Sequence, residues 1–167
     1  ALELNPDMTV AGYNLALILS ERGSYREALP YYERSLDENP DTPLVRLRYA
    51  EALTKSGELA KAIAQYEQLV EAHPSDAAAH NNLASALLLQ VNLDLAIQHF
   101  RRSMQLNPQV PQIYSNLGEA LRRRGDYEGM IACYEQALRV IPNHPTARSG
   151  LELAKRLHGQ SRTGSAP

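Results

Sequence analysis

The 167-residue chain of 18.6 kDa has room for one ordinary domain or for a few copies of something small. Apolar residues make up 44%, enough for a core and too many for an intrinsically disordered chain, and no apolar run approaches bilayer-spanning length. Seventeen basic against nineteen acidic residues argue against a general nucleic-acid binder, and the single cysteine, Cys133, excludes an intrachain disulfide and any cysteine-cluster metal site.

Taken in chain order, the sequence repeats itself. Pro6, Pro40, Pro74, Pro108 and Pro142 stand 34 residues apart. The same beat is kept by Leu15, Tyr49, Leu83 and Leu117, by Ala28, Ala62, Ala96 and Met130, and by the aromatics Tyr32, Tyr66, Phe100 and Tyr134. Residues 1–8 match the last turn of a second helix and its closing proline, so the chain is expected to begin inside a truncated repeat of a longer protein. Four full units follow, 9–42, 43–76, 77–110 and 111–144. Inside each unit the period drops to that of a helix: His80, Leu83, Ala84 and Leu87, then Ala96, Phe100 and Met104. Each unit is therefore two amphipathic helices. The turn between them is marked by Gly23, Gly57 and Gly125, and in the third unit by Val91-Asn92, with Asn92 expected to supply the left-handed residue. Asp7, Asp41, Ser75 and Asn143 are the expected caps, give or take one residue. Pro30, inside the second helix of the first unit, is expected to bend or loosen it. Residues 145–158 read as a capping helix with Leu151, Ala154 and Leu157 inward, and 159–167 as a disordered tail.

These residues resemble the tetratricopeptide repeat, a 34-residue helix-turn-helix with the pattern W-x2-L-G-x2-Y, then A, F, A and P. The W place is departed from throughout, holding Gly12, Arg46, His80 and Tyr114. The small-residue places are kept except at Met130, for which Gly118 on the preceding helix is the expected compensation. The resemblance implies an all-α, right-handed superhelical solenoid of antiparallel helix pairs. It implies a protein–protein interaction module that binds an extended peptide in its concave groove, and it does not by itself fix function. A docking arm of a larger enzyme, such as a glycosyltransferase, and a self-stacking scaffold are the alternatives.

Nothing in the sequence points to catalysis, a cofactor or a metal. The histidines lack HxxxH or HExxH spacing, Cys133 has no histidine at helical contact spacing, and the glycines mark turns rather than a phosphate loop. His80 is expected to fill the degenerate aromatic place. A soluble, cytoplasmic protein is the expectation.

Binding is the better question. In each first helix the second, fifth, sixth, ninth and thirteenth residues point away from its partner helix, and the family resemblance places that face in the groove. The expected groove residues are Tyr13, Asn14 and Leu17 in the first unit, then Leu47, Arg48 and Glu51 in the second. The third contributes Asn81, Asn82 and Ser85, and the fourth Asn116, Glu119 and Arg123. Asn14, Asn82 and Asn116 share one register, with Arg48 interrupting. An amide is both donor and acceptor, so such a row grips a peptide backbone with little regard to its sequence. The row resembles the asparagine ladder of the O-linked N-acetylglucosamine transferases. The family's two-carboxylate clamp for chaperone tails is not matched, because its places hold Tyr13, Leu17, Arg48, Ala78 and Asn82, or Leu47, Glu51, Asn82, Gln112 and Asn116. Arg122, Arg123 and Arg124 end a first helix, where the dipole favours them; an anchor for an acidic ligand is the other reading. The expected partner is a protein or peptide. Self-association is expected through apolar surface at the N-terminal end, around Val10, Tyr13 and Leu17.

Overall fold

The structure is a computed structural model that describes residues 6–163. Among these residues there are nine helices and no strand: α1 Pro6–Glu21, α2 Tyr25–Glu38, α3 Pro43–Ser56, α4 Leu59–Ala72, α5 Ala77–Leu89, α6 Leu93–Leu106, α7 Pro111–Arg124, α8 Tyr127–Val140 and α9 Ala147–Thr163. They are the helices of a repeat solenoid, grouped in two compact units that divide between Pro74 and Ser75. In the first unit α1 packs on α2, α2 on α3 and α3 on α4; in the second, each helix from α5 to α9 packs on the next.

The ends differ from the sequence reading. Pro6, expected to close a preceding helix, is instead the first residue of α1, a position where the missing N–H costs little. Residues 1–5 of the expected truncated repeat lie outside the described residues. At the other end α9 runs past His158 to Thr163. No proline intervenes there, and Gly159 alone costs a helix only ~1 kcal/mol. Residues 164–167 of the expected tail lie outside the described residues.

Three of the four intra-repeat turns follow the glycines. Gly23, Gly57 and Gly125 have φ of 81°, 89° and 79°. In each turn the glycine N–H and the next N–H reach back to the last carbonyls of the helix, as in Gly57 N to Thr54 O at 3.2 Å and Glu58 N to Leu53 O at 2.9 Å. The third turn repeats those bonds without glycine: Val91 N to Leu88 O at 3.2 Å and Asn92 N to Leu87 O at 2.9 Å. The left-handed residue is Val91, at φ 66°, and not Asn92, whose φ is −84°. Position in the hydrogen-bond pattern decides which residue bears the strain, and Asn92 falls one place too late.

Of the expected caps, Asp7 falls inside α1 and Asn143 four residues before the start of α9, whereas the places expected at Asp41 and Ser75 shift by one residue, to Thr42 and Asp76. Asp76, rather than Ser75, accepts from Ala78 N at 2.8 Å and Ala79 N at 3.2 Å. Thr42 precedes α3 without capping it, and its hydroxyl donates instead to Asn39 O at 2.9 Å. α2 continues unbroken across Pro30, which has no N–H to give to the Arg26 carbonyl.

Helix pairs close on small residues. Ala16, Ala50 and Ala84 are fully buried, beside the buried aromatic series Tyr32, Tyr66, Phe100 and Tyr134. The space left by Gly118 is taken by Tyr134, and not by Met130 as its place in the repeat suggested. A Cβ at Gly118 would stand 2.2 Å from the Tyr134 hydroxyl, and one at Gly150 of α9 would stand 2.5 Å from the Tyr134 Cζ. The ring thus sits between a glycine of α7 and a glycine of α9. Met130 is buried independently of that contact.

At two of the four departed W places different residue types make an equivalent bond. Arg46 donates from Nη2 to the carbonyl of Pro40 at 2.6 Å, and the Tyr114 hydroxyl donates to the carbonyl of Pro108 at 3.0 Å. Each reaches six residues back and holds the proline loop that precedes its own helix. At the C-terminal cap, His144 is buried and plays a related part. Its Nδ1 accepts from Thr146 N at 3.2 Å, so Nε2 carries the proton and donates to Pro111 O at 2.9 Å.

Candidate peptide-binding surfaces

Two surfaces are built from the predicted groove positions, one in each unit. In the first unit Tyr13 and Leu17 of α1 face Leu44, Arg48 and Glu51 of α3 across a cavity of about 530 Å³. Tyr13 stands edge-on to Tyr32 at 6.1 Å, and the Tyr32 hydroxyl is 3.1 Å from Ser20 Oγ. Burial pushes the Tyr32 phenol above its ordinary value, so it stays a neutral hydrogen-bonding group. Arg48 donates to Glu51 at 2.9 Å, and both remain substantially exposed. The cavity is therefore an aromatic floor with a solvated charge pair at one side. Leu47 is half-buried outside it and Asn14 is exposed on α1. Tyr25 and Tyr32 of α2 line the same cavity, and the first-helix positions of the repeat do not point to them.

In the second unit the amides form a connected network. Gln112 Nε2 donates to Asn116 Oδ1 at 2.8 Å, and Asn116 Nδ2 donates to Asn81 Oδ1 at 3.1 Å. Ser85 Oγ donates to the Asn81 carbonyl at 2.8 Å. Asn82, the next residue of α5, is half-buried and makes no side-chain hydrogen bond among the described residues. Asn116 has spent one N–H and one lone pair, and it retains one of each. The register brought Asn82 and Asn116 to neighbouring helices as expected, but the contact runs through Asn81, one residue earlier.

The arginine cluster at the end of α7 is already occupied. Arg122 grips Glu119 through two bonds of 2.8 Å, which holds the Glu119 carboxyl below its usual range. Arg123 donates to the Leu88 carbonyl at 2.9 Å, and Arg124 bridges Asp94 at 3.0 Å and Asp126 at 2.5 Å. Arg123 thus adds a second donor to a carbonyl at the end of α5 that already accepts from Val91 N.

The remaining titratable groups do not assemble a reactive site. Burial pushes the Cys133 thiol up to about 12, and it donates to the Tyr114 carbonyl. His80 is buried and meets His99 with their Nδ1 atoms 2.9 Å apart. The ring centroids are 5.2 Å apart, so the rings meet end-on, as an N–H···N bond requires, rather than face to face. Among the described residues no group of three or more His, Cys, Asp or Glu could hold a metal ion, and no helix is long and apolar enough to cross a membrane.

Burial, with His80 beside it, lowers the His99 proton affinity. The unfolded chain therefore takes up a proton first on acidification. Stability is expected to fall as pH drops through the ordinary histidine value of ~6.5 toward the lower folded one. His99→Gln, followed by urea melts between about pH 7 and about pH 5, removes part of that slope; an identical slope would show that another group sets it.

The tetratricopeptide repeat matches this sequence over residues 19–88, 77–110 and 111–144. The chain belongs to the tetratricopeptide-repeat family. Comparison by sequence with curated proteins gives no match. Among solved structures, a MamA protein aligns with TM-score 0.82 at 21% identity, over 93% of this chain and 85% of that one. MamA from Desulfovibrio magneticus RS-1, residues 41 to the end, aligns at 0.75 and 20%, over 82% and 77%. A chain of Naa15/Naa10 bound to HypK-THB aligns at 0.67 and 20%, over 91% of this chain and 23% of that one. At these identities the likeness is one of fold. A tetratricopeptide-repeat fold is typically a non-catalytic scaffold for protein interactions.

Proposed function

We propose that this tetratricopeptide-repeat chain binds an extended peptide of a protein partner, with Asn82 and Asn116 gripping the peptide backbone. The observation that carries the reading is the Gln112–Asn116–Asn81 network. It fixes the Asn116 amide while leaving it one donor and one acceptor, which is what a peptide group pairs with. A fixed amide loses less conformational freedom on binding than a free one. Each hydrogen bond contributes a net ~0.5–1.5 kcal/mol, so the amides alone give weak binding.

The test begins with a peptide selected for binding from a random library. Asn82→Ala with Asn116→Ala is expected to weaken that peptide about tenfold, or ~1.4 kcal/mol, without lowering the melting temperature. Unchanged affinity would reduce the network to ordinary surface.

Self-association at the N-terminal end has its own support. Leu15 and Ile18 of α1 are 40% and 46% exposed, whereas their repeat equivalents Tyr49 and Ala52, covered by α2, are 6% and 1% exposed. The open strip is Val10, Leu15 and Ile18, because Tyr13 and Leu17 are half-buried in the cavity beside it. Ile18→Glu should abolish any concentration-dependent rise in mass measured by light scattering, and a constant monomer mass for the unaltered chain would refute the reading.

A further inference from the structure

The exposed face of α6 carries chemistry that the amide surface does not use. A cavity of about 480 Å³ there is lined by Asp94, Gln98, His99, Arg101, Arg102 and Gln105 of α6 and by Arg124 of α7. Residues 98, 101, 102 and 105 recur at helical spacing and form one stripe. Arg124 is engaged, since Asp94 and Asp126 hold it. Arg101 and Arg102 are different: both are exposed, and neither makes an ion pair or a side-chain hydrogen bond among the described residues. The one lining carboxylate, Asp94, is paired with Arg124; Arg101 acts on the Asp126 carboxylate only through space, so both Arg101 and Arg102 keep their guanidinium donors open.

We propose that this cavity binds a phosphoryl group carried on a side chain of a partner protein. Charge matching selects the ligand. A carboxylate neutralises one of the two open guanidiniums and strands the other, whereas a phosphoryl monoester carries about −1.5 to −2 and offers three strong acceptor oxygens. Arginine's planar fork of donors fits such oxygens pairwise. Gln98 and Gln105 add neutral amide donors above and below the arginines. His99 closes the rim, its ring held in place by the bond to His80. A nucleic-acid backbone fits less well, because each of its phosphates carries a single charge and the stripe spans only about two helical turns.

The proposal is independent of the amide surface, and one experiment separates them. The full chain is titrated, by NMR and calorimetry, with Gly-Gly-phosphoserine-Gly-Gly, with the serine and glutamate versions of that peptide, and with a short oligouridylate. Saturable binding of the phosphopeptide, at least tenfold tighter than either other peptide, is expected. Arg101→Gln with Arg102→Gln should remove it at least tenfold with an unchanged melt, since both side chains are exposed, while Asn82→Ala with Asn116→Ala leaves it intact. The proposal is overturned by absent saturation, by equal binding of the serine or glutamate peptide, by indifference to the arginine substitutions, or by tighter binding of the oligouridylate.

Discussion

Gly118→Ala is expected to destabilise the second unit, although alanine is the better helix former. The propensity gain is ~1 kcal/mol. Against it stands a Cβ placed 2.2 Å from the Tyr134 hydroxyl and 2.5 Å from its Cζ. Overpacking of a buried site costs ~1–3 kcal/mol, and this site belongs at the upper end because the ring has no free side to move toward. On its far side a Cβ at Gly150 would meet the same ring at 2.5 Å. A net loss of about 2 kcal/mol follows from the two magnitudes. Tyr134→Phe then discriminates between the two contacts. It removes the atom nearest Gly118 but none of the three atoms nearest Gly150, so it should relieve Gly118→Ala more than Gly150→Ala. Denaturant melts of the two double-mutant cycles measure this. Equal relief, or a stabilised Gly118→Ala, would show that Tyr134 has another place to go.

Val91→Gly is expected to act in the opposite direction. A side chain in the left-handed region costs roughly 1–2 kcal/mol, and valine, branched at Cβ, is poorly suited to it. Val91 is 62% exposed and so loses little packing on truncation. Glycine's extra freedom in the unfolded chain offsets ~0.5–1 kcal/mol, leaving a gain of about 1 kcal/mol by these terms. Because the three equivalent turns already carry glycine, no bond has to change. A thermal melt settles the sign, and a fall in midpoint on Val91→Gly would mean that the valine side chain has a packing role.

What the sequence revealed followed from periodicity, and what it concealed followed from contacts between elements. The 34-residue beat of the prolines and the 3.6-residue beat of the apolar places located the helices, because both patterns are set by backbone geometry alone. The small-residue series Ala28, Ala62 and Ala96, all fully buried, was legible for the same reason. The Tyr134 placement was not, since Gly150 lies outside the repeat register and only the docking of α9 brings it to that ring. Val91 was misjudged because composition favours Asn92, whereas the hydrogen-bond pattern fixes which residue must turn left-handed. The register placed Asn82 on α5 and Asn116 on α7, successive first helices. The link through Asn81 and Gln112 depends on side-chain reach, and register does not encode reach. The arginines at the end of α7 showed their charge in the sequence but not their partners, which come from α5, α7 itself and the α6 and α8 termini.

The bonds from Arg46 to Pro40 and from Tyr114 to Pro108 bear on how such repeats drift. A consensus written in residue types scores the arginine as a loss of the aromatic, yet both side chains deliver a hydrogen to the same carbonyl. A side chain long enough to reach and able to donate makes that bond, whereas a phenylalanine would match the aromatic letter and make none. An engineer adding a repeat to the chain would choose that residue by its reach.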